Sequence, residues 1–289
     1  MALVLNAVGP VFAVIALGYL LSGRRALDLP TLSNLAILVT SPALMFTVLS
    51  GSELVAARWA ALAGGTVFIA AGTAVLAVAY LRTAGAGRVG LLLPAIFANA
   101  GNMLLPTARL AFGPEGLEAA AIVFVTAAML TSTFGIWIAK GENGFAEMLR
   151  LPLLYGSAGG LGLAVTDTTL PRIVMEPIEM LADMAIPILL ISLGAQLRNL
   201  PIAELRHSFA AVAIRMGGGV AFGAVFVGLF DVQGLERQVL LLSSAMPPAV
   251  INVAFAERYG RDSSLVASSI VIGTLVSLVT IPAILLLVT

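Results

Sequence analysis

Ten stretches of mostly apolar residues, divided by short polar connections, constrain this chain more than any other feature; they lie near 4–22, 31–50, 59–81, 89–111, 117–139, 149–166, 173–197, 207–230, 237–257 and 263–288. An α-helix of about 20 apolar residues crosses the hydrocarbon core of a bilayer. The chain is 60% hydrophobic and 10% charged, where a soluble domain carries roughly 25% charged residues. A globular core cannot hide that much apolar surface, so lipid must be part of the solvent. The expected fold class is all-α integral membrane, with ten transmembrane helices and no room for a separate soluble domain. Met1 to Pro10 contains no Lys or Arg, so the first run, Leu3 to Leu21, is expected to stay as a helix and not to be cleaved as a signal.

The same composition removes several function classes. A net charge of zero gives no electrostatic footprint for nucleic acid. There is no cysteine and one histidine, His207, so thiolate or histidine metal clusters are not expected, nor is any cofactor. Neither a paired acid–base constellation nor a GxxxxGK[ST] loop occurs, which argues against an enzyme and against a chain that hydrolyses ATP. Lys140 stands alone among fourteen arginines, a usage that hints at a GC-rich bacterial genome and so at a bacterial cytoplasmic (inner) membrane.

Orientation follows from the basic residues, which are retained on the cytoplasmic side. Odd-numbered connections hold ten of them: Arg24, Arg25, Arg82, Arg88, Lys140, Arg150, Arg198, Arg206, Arg258 and Arg261. Even-numbered connections hold three, Arg58, Arg172 and Arg237. Both termini are therefore expected on the non-cytoplasmic side.

Prolines recur at a nearly fixed offset: Pro10 with Pro152, Pro30 with Pro171, Pro42 with Pro187 and Pro106 with Pro248, at 142, 141, 145 and 142 residues. Chance matches among fourteen prolines are the plain alternative. Two homologous halves, 1–140 and 141–289, explain the register better, with the split near Gly141–Asn143. Five spans in each half put the second half in upside down, the inverted-repeat pattern of secondary transporters.

The fourth span, PAIFANAGNMLLPTARLAFG (94–113), and the ninth, SSAMPPAVINVAFAERYG (243–260), each carry proline near the middle and asparagine beside it. A mid-helix proline removes a backbone hydrogen bond, and in hydrocarbon the freed carbonyl has no water to turn to. Half-helices are expected to start at Pro106 and Pro248 and to meet near the midplane. Their orphan N–H groups and partial positive charge suit a carboxylate. The candidate substrate-binding residues are Asn99, Gly101, Asn102, Met103, Leu104, Pro106, Pro247, Pro248, Ala249, Ile251 and Asn252. Kinked helices without a ligand are common, but two breaks at repeat-related midpoints, each with asparagine, favour a site.

Two charged residues are candidates for coupling. Asp183 follows Glu176 and Glu179 on one helical face of the seventh span, and an intramembrane carboxylate is a functional candidate by default. Its bland alternative is a helix contact or a water-reached position. Arg215 lies about two turns into the eighth span, where it can neutralise an anion, pair with a carboxylate or, the favoured reading, snorkel to the interface. Gly217–Gly219 and GSAGG (156–160) read as close helix packing.

GPVFAVIALGYLL (9–21), NAGNMLLP (99–106), IPILLISLGAQL (186–197) and MPPAVINVAFAERYG (246–260) together resemble the auxin efflux carrier family, the bacterial permeases related to plant PIN-type carriers, across essentially the whole chain. The resemblance implies a fold related to bile-acid:sodium symporters. In that fold spans 1, 2, 6 and 7 (1–57 and 148–200) form a scaffold that often carries the homodimer surface. Spans 3–5 and 8–10 (58–140 and 201–289) form a moving transport core. It implies elevator-type alternating access for a small organic anion, with a proton or sodium as a possible coupling ion. A sodium-coupled symporter of a bile-acid-like or vitamin-like solute is the alternative. The chain departs from the plant carriers in having only residues 140–148 where they have a long hydrophilic loop, so regulation through that loop is not expected.

Overall fold

The computed structural model describes residues 2–24, 27–53, 55–83, 88–142 and 144–289, with side chains from Leu5 onward. Arg25 and Asn143, used above for orientation and for the split between halves, lie outside the described residues. Every regular element among those described is helical, apart from one isolated backbone bridge. Apart from the short helical turns Val89–Leu91 and Phe145–Met148, the helices are α1 (Ala2–Arg24), α2 (Leu29–Ser50), α3 (Ala56–Thr83), α4 (Leu92–Ile96), α5 (Ala100–Lys140), α6 (Pro152–Thr166), α7 (Arg172–Asn199), α8 (Leu205–Leu229), α9 (Gly234–Ser244), α10 (Ile251–Arg258) and α11 (Ser263–Val288).

Seven of these, α1, α2, α3, α5, α7, α8 and α11, are long and apolar enough to cross a bilayer. The difference from ten expected runs has three physical causes. The fourth and ninth runs are interrupted, giving the short pieces α4, α9 and α10. The sixth run starts only at Pro152, so α6 has 15 residues. The end of the fourth run is continuous with the fifth in α5, whose 41 residues would be about 60 Å of straight helix. That rod bends at Gly113 (φ 73°, ψ −159°), a conformation open to glycine alone, with Pro114 starting the next limb. Residues 100–112 and 114–140 thus run as two limbs.

Four π-helical turns, Ala36–Thr40, Ala100–Leu104, Thr131–Gly135 and Ala213–Gly218, interrupt the long helices. The first two end two residues before Pro42 and Pro106, where the wider turn absorbs the missing proline N–H. All four border the central cavity or the buried Arg215 described below.

Two helix pairs pack backbone against backbone. α1 lies along the second part of α7, where a Cβ on Gly18 would stand 2.2 Å from the Ile191 carbonyl oxygen and one on Gly194 only 1.9 Å from that of Ile15. α2 meets α6 in the same way, with Gly156 and Gly160 set 2.3 and 2.4 Å from the Pro42 and Phe46 oxygens by the same construction. The GSAGG stretch is therefore packing, as its composition implied. Of the later glycine triplet, Gly218 and Gly219 are crowded and Gly217 faces open space. α3 packs on α8 through Phe68, whose ring centroid lies 6.1 Å from Phe222 and 5.5 Å from Phe226. Arg58, near the start of α3, ties this group to Glu236 of α9 (2.6 Å) and Glu118 of α5 (3.4 Å).

Substituting Gly194→Val should prevent α1 from reaching α7, since the obstacle is backbone and cannot rotate away; a monodisperse peak in size-exclusion chromatography should be lost. Gly217→Ala should elute as the parent does. Normal elution of Gly194→Val would refute the backbone-contact account.

Candidate functional site

α9 cannot continue past Ser244. The carbonyls of Ser243 and Ser244 would take their hydrogen bonds from residues 247 and 248, and both are proline. The chain unwinds over 245–250 and resumes as α10. α4 stops at Ile96, with Phe97 extended (φ −94°, ψ 118°). Its break is local chemistry of another kind: the Asn99 side chain accepts from the Asn102 N–H at 3.1 Å and caps the turn that starts α5.

The two unwound segments cross and pair. Asn99 N–H donates to the Pro247 carbonyl at 2.8 Å and Ala249 N–H to that of Phe97 at 2.9 Å, forming a one-residue antiparallel bridge between Ala98 and Pro248. Each break thus satisfies backbone groups that the other frees. Asn252 adds a side-chain clamp, its Nδ2 donating to the Leu93 oxygen (3.2 Å) and the Phe97 oxygen (3.4 Å) at the end of α4. Gly273 of α11 admits this knot; a Cβ there would lie 2.5 Å from Pro248 Cδ.

Two amide atoms at the crossing are buried without a partner, Asn99 Nδ2 and Asn252 Oδ1. Asn99 faces a cavity of about 590 Å³, within the range of small-molecule sites. The first turns of α5 and α10 line one wall through Ala98 to Asn102 and Ala249 to Ile251. The N–H groups of Val250 and Ile251 find no backbone acceptor. Opposite stand Ser33 and Ser41 of α2 and Ser192, Gln196 and Asn199 of α7, with Thr131 and Ser132 of α5 nearby. Among the described residues, Glu257 is the one ionisable residue in the lining.

The structure therefore gathers Asn99, Gly101, Asn102, Ala249 and Ile251 around one hollow, with Pro247, Pro248 and Asn252 forming the crossing behind it. Met103, Leu104 and Pro106 are buried outside the lining. Pro106 does not start the half-helix: the break comes at 97–99, because the asparagine cap and the partner strand fix it there, and the π turn before Pro106 absorbs the proline. Asp183 is exposed and outside the lining.

Arg215 does not snorkel. It is 2% exposed and spans the two helix ends, with Nη1 donating to Ile96 O at 2.8 Å and Nη2 to Ser244 O at 3.0 Å. It borders a second cavity of about 30 Å³, together with Thr66 and Ser243, room for about one water. The flanking-helix residues Ser192, Gln196 and Asn199 were missed from the sequence, although their i, i+4, i+7 spacing in an apolar run marks one polar helical face.

The chain is similar in sequence to known membrane transport proteins. A family model described as membrane transport protein matches residues 142–285. An uncharacterized transporter of Methanothermobacter thermautotrophicus is 30% identical over 294 aligned positions, 94% of either chain. This chain belongs to the auxin efflux carrier family of membrane transport proteins. An uncharacterized transporter of Methanocaldococcus jannaschii is also 30% identical, over 205 residues or just under two thirds (66%) of either chain. The auxin efflux carrier component 7 of Arabidopsis thaliana is 26% identical over 139 residues, 46% of this chain and 22% of the plant protein. The chain is accordingly a multi-pass membrane protein of a transport family, built around a helix crossing.

Asn252→Ala should lower the melting temperature of the detergent-solubilised protein through loss of a buried hydrogen-bonded amide, about 1–3 kcal/mol. A melting curve identical to the parent's would show that the clamp on α4 contributes nothing.

Proposed function

We propose that the chain is a secondary carrier that moves a small organic anion, a carboxylate in the first instance, across the cytoplasmic membrane by elevator-type alternating access. The observation that carries this reading is the 590 Å³ cavity lined by the N-terminal turns of α5 and α10, where the N–H groups of Val250 and Ile251 find no backbone acceptor. Such ends attract a carboxylate through partial charge and oriented donors. Asn99 Nδ2, buried and unpartnered, supplies a further donor beside them.

The packing supports two inverted halves of five spans each, 1–140 and 141–289. Gly18 meets Ile191 as Gly160 meets Phe46, and the paired residues differ by 142 and 145, within the range of the proline offsets. α1 on α7 then mirrors α6 on α2, as a pseudo-twofold requires. The cavity lies between a scaffold (1–57 and 148–200), which supplies Ser33, Ser192, Gln196 and Asn199, and a transport core (58–140 and 201–289), which supplies the crossing. A substrate bound along such a boundary moves when one body slides against the other.

The cavity reaches Leu29, Leu151, Asn199 and Glu257, beside the connections that hold most of the arginines. Basic connections on the cytoplasmic side support reading this opening as inward-facing, with both termini outside. A homodimer through the scaffold helices fits the exposed apolar side chains Ile173, Met180 and Met184 of α7.

Purified protein in proteoliposomes should take up labelled carboxylates from a broad panel with saturable kinetics; no saturable flux with any member would count against the carrier. In the same assay Asn99→Ala should fold normally and lose affinity by about tenfold, the worth of roughly 1.4 kcal/mol. Unchanged KM would remove Asn99 from the site. Dependence of flux on a sodium gradient would favour the bile-acid-like or vitamin-like symporter.

A further inference from the structure

The carrier reading leaves Arg215 unused, yet it is the largest of the fully buried side chains. A guanidinium at that depth is costly unless its charge is answered. Among the described residues its ion-pair partner is no carboxylate. Its bonds go to two backbone oxygens, Ile96 O and Ser244 O, the last residues of α4 and α9.

Both oxygens are left over by the breaks. The helical donor to Ser244 O would be the N–H of residue 248, which is proline. The donor to Ile96 O would be Ala100 N–H, which turns to Ala98 O instead, at 2.9 Å. Each helix end also carries about half a negative charge, and the crossing brings the two ends to one guanidinium. Two like partial charges with two open lone pairs make a cation site, and carbonyl oxygens of unwound membrane helices serve that purpose elsewhere. The backbone is shaped around the occupant: a Cβ on Gly219 would stand 2.5 Å from Arg215 Nη2 and 2.4 Å from Ser244 O.

We propose that the Arg215 guanidinium is the resident cation of the crossing, filling a carbonyl site between the ends of α4 and α9 that would otherwise take a monovalent cation from solution. Arg215 is a positioning residue: it acts through the crossing and lies outside the 590 Å³ cavity lining. Removing its side chain creates a vacant site for sodium or free guanidinium.

The inference rests on the carrier reading only for its transport arm, so the deciding measurement is melting of the purified full chain in detergent, which needs no substrate. The parent should melt at the same temperature in sodium chloride and choline chloride. Arg215→Ala should melt several degrees lower in choline chloride and regain much of that loss in sodium chloride or in guanidinium chloride at sub-denaturing concentration. In proteoliposomes, Arg215→Ala should lose most carboxylate uptake and recover part of it with the same cations. A parent specifically stabilised by sodium, or an Arg215→Ala protein that melts like the parent or is lowered equally in all three salts, overturns the proposal. Should Arg215→Ala not fold, Arg215→Lys and Arg215→Gln decide: the charged variant should melt closer to the parent than the neutral amide, and the reverse order refutes a cation site. Absence of any flux in the parent, with the melting pattern intact, would sink the carrier and leave the resident cation standing.

Discussion

Backbone hydrogen bonds in a dry environment have to be closed inside the protein, and at the centre of this chain they close between two broken helices. Pro247 and Pro248 remove two donors from the end of α9, and the extended turn at Phe97 takes away those of α4. What each segment lacks, the other supplies, through the pair of bonds flanking Ala98 and Pro248. Asn252 and Arg215 then close the remaining oxygens with side-chain donors. Neither break is stable alone, so α4, α5, α9 and α10 form one mechanical unit, and a substitution on one side of the crossing is felt on the other.

The rest of the packing leaves that unit separable from its surroundings. α1 with α7 and α2 with α6 touch at backbone distance through Gly18, Gly194, Gly156 and Gly160, contacts with no flexible side chain to give way. α3 and α8 enclose the crossing through aromatic rings and glycine gaps, and Arg58 fastens α3 to α5 and α9. Between these two well-packed groups lies the largest hollow described, lined from both sides. A protein interior is close-packed wherever it has to hold shape; in the proposed elevator cycle the open seam is the boundary along which the two groups would slide.

Much of the fold was legible because apolar period and charge punctuation are strong signals in a membrane chain. Helix count by length was less so, since a run of apolar residues reads the same whether the helix inside it is whole or broken. The double proline at 247–248 marked its break correctly. Pro106 misled, because a single proline is accommodated as well by a π turn as by a break, and only the partner strand decides where Phe97 to Asn99 must unwind. Asn99 and Asn252 were legible as costly amides that need partners. Arg215 was not: its partners are the oxygens of Ile96 and Ser244, residues 119 and 29 positions away, and no pattern in the chain ties an arginine to backbone oxygens that become free only once two other helices break.

The division of charge at the crossing fits the demands on a carrier of the proposed kind. A guanidinium inside the hollow would bind a carboxylate through a charge-assisted, bidentate pair, and in a site shielded from water release would be slow. Here the full positive charge is spent on the two helix C-termini, outside the cavity lining. What faces the cavity is the softer field of two helix N-termini, about half a charge each, with uncharged amides and hydroxyls around them and Glu257 as the one ionisable group among the described residues of the lining. In the proposed carrier such a site would hold an anion by geometry more than by charge, strongly enough to orient it and weakly enough to let it leave once the seam opened to water.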